Sequence, residues 1–239
     1  MNDFIRLEIN GHEISKTDNA KFLGLHFDST MKWDYHISRK CNQISKTLAV
    51  MTKLKNYLPN WTLLTLYNSL ILPHMTYGIV AWGNANASLL KRMTILQKRA
   101  IRTISGSKYN SHTNPLFKNL KLLTLEDLFQ LECCKIYAKY CLGNLPQYIS
   151  HQLDANVNSH PYPTRSNLDA LPPLIRTKKE EQLIAYKVAK AWNSLPLNIK
   201  KFKDNPSTLH TFNRTVKFYK LECYQTECTL NNCFICNNI

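Results

Sequence analysis

Between Lys55 and Lys91 the chain carries no Lys, Arg, Asp or Glu, although one-fifth of its 239 residues are charged. Charged side chains are rarely buried without a partner, so a run this long without any predicts interior structure. Asn60, Asn68, Pro73, His74 and Asn84 interrupt it before about 20 apolar residues accumulate, which argues against a membrane span. Leu58-Pro59-Asn60 predicts a turn, and Pro73 predicts the end of a first helix near Leu72. Tyr77-Gly78 and Trp82-Gly83 predict a corner where large rings meet close backbone. Ser88 then reads as the cap of a second helix whose apolar face is Leu89, Met93, Leu96, Ala100 and Ile104. Its other face carries Lys91, Arg92, Lys98, Arg99 and Arg102, so one side is core and the other strongly basic.

Elsewhere the patterns are mostly helical. Leu7-Glu8-Ile9 and His12-Glu13-Ile14 alternate around Asn10-Gly11, the signature of a two-residue hairpin. Lys21 to Asp28 reads as one further strand, with Gly24 permitting a bulge or a close approach. From Tyr35 a helical period sets in, with Ile37, Cys41, Ile44, Leu48, Met51 and Leu54 on one face and Arg39, Lys46 and Lys53 on another. Thr124 to Asp127 and Thr177 to Glu180 read as capping boxes opening helices toward Cys141 and Trp192. The expected fold is mainly α, with a small N-terminal β element of a hairpin plus one strand and a helical C-terminal region. The expected divisions are residues 1–34, 35–146, a polar and Pro-rich linker at 147–176, helices at 177–220 and a Cys-containing tail at 221–239.

The net charge is +15, and residues 37–146 alone contribute +12 of it, with 15 Lys or Arg against 3 Asp or Glu. Such concentration implies a polyanion or an acidic protein surface as partner. The start lacks the basic and apolar segments of a secretory leader, and Cys41, Cys133, Cys134 and Cys141 fall on or beside helical patterns as small apolar residues, so an intracellular setting, cytoplasmic or nuclear, is expected.

Several motifs, in order, resemble the region after the palm of reverse transcriptases from jockey-like non-LTR retrotransposons. They are Phe22-Leu23-Gly24 with Asp28, Trp33 and His36-Ile37; Leu70-Ile71 to Pro73 with Thr76-Tyr77-Gly78 and Trp82-Gly83; and Leu96 to Arg102. His112 to Phe117, Thr164-Arg165-Ser166 and Trp192 to Pro196 extend the likeness over nearly the whole chain. No single piece is diagnostic; the ordered set is specific. The resemblance implies a helical thumb-like bundle and the region beyond it, with RNA or an RNA/DNA duplex and the rest of a polymerase as partners. In that family palm carboxylates bind magnesium for nucleotidyl transfer. This sequence contains no Asp-Asp pair, so no catalytic residue is carried over and the chain alone is expected to be inactive.

A polymerase thumb grips the sugar-phosphate backbone through cations, which makes Lys91, Arg92, Lys98, Arg99, Arg102 and Lys53 the candidate nucleic-acid-binding residues, with Lys55 weaker on the same argument. Lys91, Lys98 and Arg102 share a helix face at spacings of seven and four. The alternative is a solvated helix face, or a module that meets an acidic protein, or a non-functional element remnant. Tyr67, Tyr77 and Trp82 offer rings for base stacking or, in the plainer reading, for the core. At the C-terminus Cys223, Cys228, Cys233 and Cys236 have the number of thiols a tetrahedral zinc site needs. Only the last pair has a common spacing, and the competing reading is a tail with incidental thiols. No metal ligand or cofactor is therefore assigned to the chain.

Overall fold

The computed structural model describes residues 8–154, 169–177, 180–203 and 209–224. Strands β1 (Glu8–Ile9) and β2 (His12–Glu13) pair antiparallel across Asn10 and Gly11, both at positive φ as a type I′ turn requires. Residues 21–28, expected as one strand, belong instead to a hairpin that begins at Asn19. This second antiparallel hairpin pairs β3 (Asn19–Phe22) with β4 (Leu25–Asp28), turning at Leu23 and Gly24 with φ 45° and 80°. A leucine in the left-handed region is unfavourable, and a long-range contact holds it there. The Tyr77 hydroxyl donates to the Leu23 carbonyl at 2.6 Å, and its ring lies against Gly24, where a Cβ would stand 3.3 Å from it. Gly78, at φ 62°, leaves room in turn for Leu25, whose methyl would lie 2.8 Å from a Cβ. The Leu-Gly and Tyr-Gly motifs thus dock on each other.

Asp28 joins this hairpin to helix α1 (Asp34–Leu54). Its carboxylate accepts from the Thr30 hydroxyl and from the backbone amides of Thr30, Lys32 and Trp33, which fixes the turn that leads into the helix. Burial alone would raise the Asp28 pKa, but these donors outweigh it and lower it.

The uncharged stretch folds as α2 (Asn60–Leu66), a π-helical turn (Tyr67–Ile71), α3 (Leu72–Thr76) and α4 (Ile79–Trp82). The chain stays helical through Pro73 rather than stopping at Leu72. The wider π turn, in which the Leu72 amide reaches Tyr67 O, makes room for a residue without an amide hydrogen. Burial in the stretch is not uniform, since Tyr57 and Trp61 are exposed while Leu63, Tyr67, Ile71, Met75, Ile79 and Trp82 are enclosed. Trp82 satisfies its indole nitrogen on the Tyr77 carbonyl at 2.9 Å.

Helix α5 (Ala87–Ser105) begins one residue before Ser88, because the Asn86 side chain accepts from the Ser88 amide and takes the cap. Short α6 (Asn114–Asn119) leads to α7 (Leu125–Cys141), α8 (Gln147–Asp154), α9 (Ile184–Asn193), α10 (Leu197–Lys200) and α11 (Leu209–Glu222). Thr124 caps α7 by accepting from the Asp127 amide, but the Asp127 carboxylate takes the Thr124 and Tyr224 hydroxyls instead of a free amide. The Tyr224 hydroxyl supplies what that amide lacks, accepting from Thr124 N at 3.0 Å. Thr177 and Glu180 cap each other reciprocally, yet the box opens only a 3-10 turn (Glu180–Gln182), and α9 starts after extended Leu183.

Two apolar clusters result. The first gathers α1 through α6 around Ile44, Tyr67, Trp82 and Ile101; the second gathers α9, α10 and α11 around Trp192, Phe212 and Val216. Helix α7 serves both, burying Leu125 in one and Leu131, Cys133, Cys134 and Ala138 in the other. That dual role is why its apolar positions exceed the single stripe of Phe129, Cys133, Ile136 and Tyr140. Asn193 ties the segment before α9 to this second cluster by a reciprocal pair of 2.8 Å bonds with the Ala170 backbone. Among the described residues no helix is long and apolar enough to cross a membrane. Residues 155–168, with Thr164-Arg165-Ser166, and the tail beyond 224, with Cys228, Cys233 and Cys236, lie outside the described residues.

Candidate nucleic-acid interface

Helix α5 is pinned from behind before it presents anything in front. Gln97 occupies a core-phase position between Met93 and Ile101 and is fully buried. Its amide nitrogen donates to the Tyr67 hydroxyl and the Leu123 carbonyl, both at 3.0 Å, and its oxygen accepts from the Leu125 amide at 2.9 Å. One side chain therefore satisfies the π turn, the loop before α7 and the first amide of α7. Burial pushes the Tyr67 phenol up to about 12, partly offset by the Gln97 bond, so it stays protonated. Reading Leu96 as the core residue missed this; a glutamine four residues from apolar positions on both sides was the available signal.

Helices α1 and α5 lie side by side in the same direction. Arg92 near the start of α5 donates to the Ser38 hydroxyl near the start of α1 at 3.2 Å, and the later halves of both helices line one groove. That groove, of about 580 Å3, is walled by Ser45, Leu48, Ala49 and Thr52 of α1 and by Leu96 and Thr103 of α5. Lys53, Lys55, Arg99 and Arg102 also line it, and among the described residues no Asp or Glu does. Among the described residues, the ion-paired carboxylates Glu132, Asp169 and Asp127 hold Lys135, Lys200 and Lys220, and none takes a cation of this groove.

Two of these cations are pre-positioned. Arg102 is half-buried and donates Nε to the Ser111 carbonyl at 2.9 Å, which fixes its guanidinium plane. Burial lowers its pKa, partly countered by Tyr109, but an arginine keeps its charge at any physiological pH. Arg99 lies with its guanidinium carbon 5.9 Å from the centroid of the Tyr109 ring. Lys53 and Lys55 are exposed and carry their charges on unbranched four-carbon stems.

The structure brings Lys53, Arg99 and Arg102 together with Lys55, and it sets Arg92 further up the same seam. Lys91, Lys98 and Arg102, which their spacing sets along one face of α5, do not all line this groove. Lys91 opens instead into a cavity of about 1410 Å3 shared with Lys187, Lys190 and Lys220, and half-buried Lys98 lines neither space. Spacing along one helix does not include its neighbours, and here the bond to Ser111 fixes the Arg102 side chain beside α1. The larger cavity is electrostatically mixed, since Asp34 and Glu126 also line it and Lys220 already meets Asp127 at 3.8 Å. Tyr67 and Trp82 are fully enclosed and offer no face to a base, while the Tyr77 hydroxyl is held by the hairpin turn. Among the described residues no group of His, Cys, Asp and Glu could hold a metal ion.

The helical array thus carries a groove lined by four cationic side chains and, among the described residues, by no carboxylate. Sequence comparison then places the likeness within RNA-directed DNA polymerases of transposable elements. The chain is 28% identical over 124 residues to a probable RNA-directed DNA polymerase from transposon BS of Drosophila melanogaster. It is also 28% identical over 127 residues to the RNA-directed DNA polymerase from mobile element jockey of the same species, and 27% over 119 residues to a probable RNA-directed DNA polymerase from its transposon X-element. These matches take in 48% to 52% of this chain but only 13% to 14% of the relatives' length. The resemblance to jockey-like non-LTR reverse transcriptases that the motifs carry therefore holds over about half the chain. No protein-family model matches the chain, and no solved structure matches it.

Proposed function

We propose that this chain is the thumb and post-thumb part of a jockey-like reverse transcriptase, and that it holds the nucleic-acid backbone in the groove between α1 and α5. The observation that carries this reading is the convergence of Lys53, Lys55, Arg99 and Arg102 on a groove whose lining, among the described residues, includes no carboxylate. Cations left unpaired by their own protein release counterions when phosphates replace them, and this supplies affinity without sequence preference. The relatives polymerise DNA on RNA, so the expected ligands are RNA and RNA/DNA hybrids and the expected partner is the rest of a polymerase. An intracellular setting follows from that role. Nucleotidyl transfer is assigned to no residue here, and neither magnesium nor zinc enters the proposed role.

The test is a salt series with a labelled RNA/DNA hybrid, read by fluorescence anisotropy. Four engaged phosphates predict a slope of log affinity against log salt of about −3 to −4. The triple variant Lys53→Glu, Lys55→Glu, Arg99→Glu, all at exposed positions, should flatten the slope to about −1. A slope near zero for the parent chain would point to an acidic protein partner, and an unchanged slope in the variant would move the site elsewhere.

A further inference from the structure

Tyr109 lines the basic groove with 76% of its surface exposed, yet it is not left to wander. Gly106, at φ 64°, turns the chain out of α5, and the Ser107 amide bonds back to the Arg102 carbonyl at 3.1 Å. Four residues on, the Ser111 carbonyl accepts from Arg102 Nε, closing the loop onto the helix it has just left. Arg99 then sits by the Tyr109 ring. Two arginines one helical turn apart thus hold a loop whose exposed ring stands beside four positive charges. Arg102 commits Nε to the loop and keeps both terminal nitrogens for an incoming oxygen. A second exposed ring, Tyr57 at 83%, follows Lys55 by two residues.

We propose that this groove takes a single strand, with phosphates at Lys53, Lys55 and Arg102 and an unpaired base stacked on the open face of Tyr109. The inference rests on the backbone-binding reading above and adds the kind of ligand. Cations and an exposed ring in one groove are the two components of single-strand binding, because every unpaired base has a π face. Bases inside a duplex are covered on both faces by their neighbours and cannot use the ring.

Three labelled probes of about 20 nucleotides separate the possibilities for the full chain: oligothymidylate, an abasic strand with the same phosphates, and a duplex. Tyr109→Ala should weaken oligothymidylate binding by about 5- to 150-fold while leaving the abasic strand and duplex within about two-fold, and Tyr109→Phe should retain parental affinity. The ring is exposed, so both variants should keep the parental circular dichroism. Equal losses on the abasic strand and oligothymidylate, or no loss on either while the parent binds all probes, would overturn the stacking role and leave the backbone reading intact. Failure of the parent chain to bind any probe would overturn both.

Discussion

Replacing Gln97 by leucine keeps the side chain's bulk and removes all three of its hydrogen bonds. Two of the abandoned partners, the Leu123 carbonyl and the Leu125 amide, belong to buried residues, and the third is the enclosed Tyr67 hydroxyl. A buried group left unsatisfied costs about 1–3 kcal/mol, and the apolar replacement returns about 1 kcal/mol through the hydrophobic effect. With three such groups left behind, the expected net loss is about 2–8 kcal/mol, read from the midpoint of urea denaturation followed by circular dichroism. Because Tyr67 shares the network, Tyr67→Phe should cost less in the Gln97→Leu background than in the parent chain. A loss under about 0.5 kcal/mol, or strict additivity of the two changes, would refute the claim that this glutamine ties α5 to the π turn and to α7.

Two further predictions concern the hairpin side and the corner. His36 is fully buried, accepts from the His26 amide through Nδ1 at 3.2 Å and has no partner at Nε2. Burial first, then Lys40 and His26, lower its pKa from an ordinary 6.5 to about 4, so protonation is favoured in the unfolded chain first. Its stabilising contribution should be complete above pH 6.5, fall by up to about 3 kcal/mol between pH 6.5 and 4, and change no further below that. His36→Phe should reduce that pH dependence in urea melts, and an undiminished dependence would contradict the assignment. At Gly83 a Cβ would lie 2.4 Å from the Phe129 ring and 2.5 Å from the Ile79 carbonyl oxygen. Gly83→Ala should therefore lower the stability measured by thermal melting by about 1–3 kcal/mol, and an unchanged melting temperature would disprove the close approach.

The patterns that were legible in the sequence are those set by one element's own period. Ile37, Cys41, Ile44, Leu48 and Met51 face the core in α1 as their spacing requires, and Asn10-Gly11 makes its hairpin turn. What escaped depends on partners distant along the chain. Leu23 tolerates a positive φ because Tyr77 holds it, Pro73 passes through a helix because a π turn precedes it, and α7 is apolar on two sides because two clusters share it. The same holds for the basic residues. Their charge and their distribution over α1 and α5 could be read directly, but which of them meet depends on how α1 lies beside α5 and on the bond from Arg102 to Ser111. Tyr109 carries no such signal in the sequence, because its place beside Arg99 depends on how the loop after α5 folds back onto that helix.

Photocrosslinking the full chain to RNA carrying 4-thiouridine, with the joined peptides identified by mass spectrometry, addresses the grip most directly. Crosslinks should fall within residues 53–57 and 99–111, and they should fade when Lys53, Lys55 and Arg99 are reversed to glutamate. Crosslinks confined to the Lys187, Lys190 and Lys220 side, and indifferent to those reversals, would contradict it.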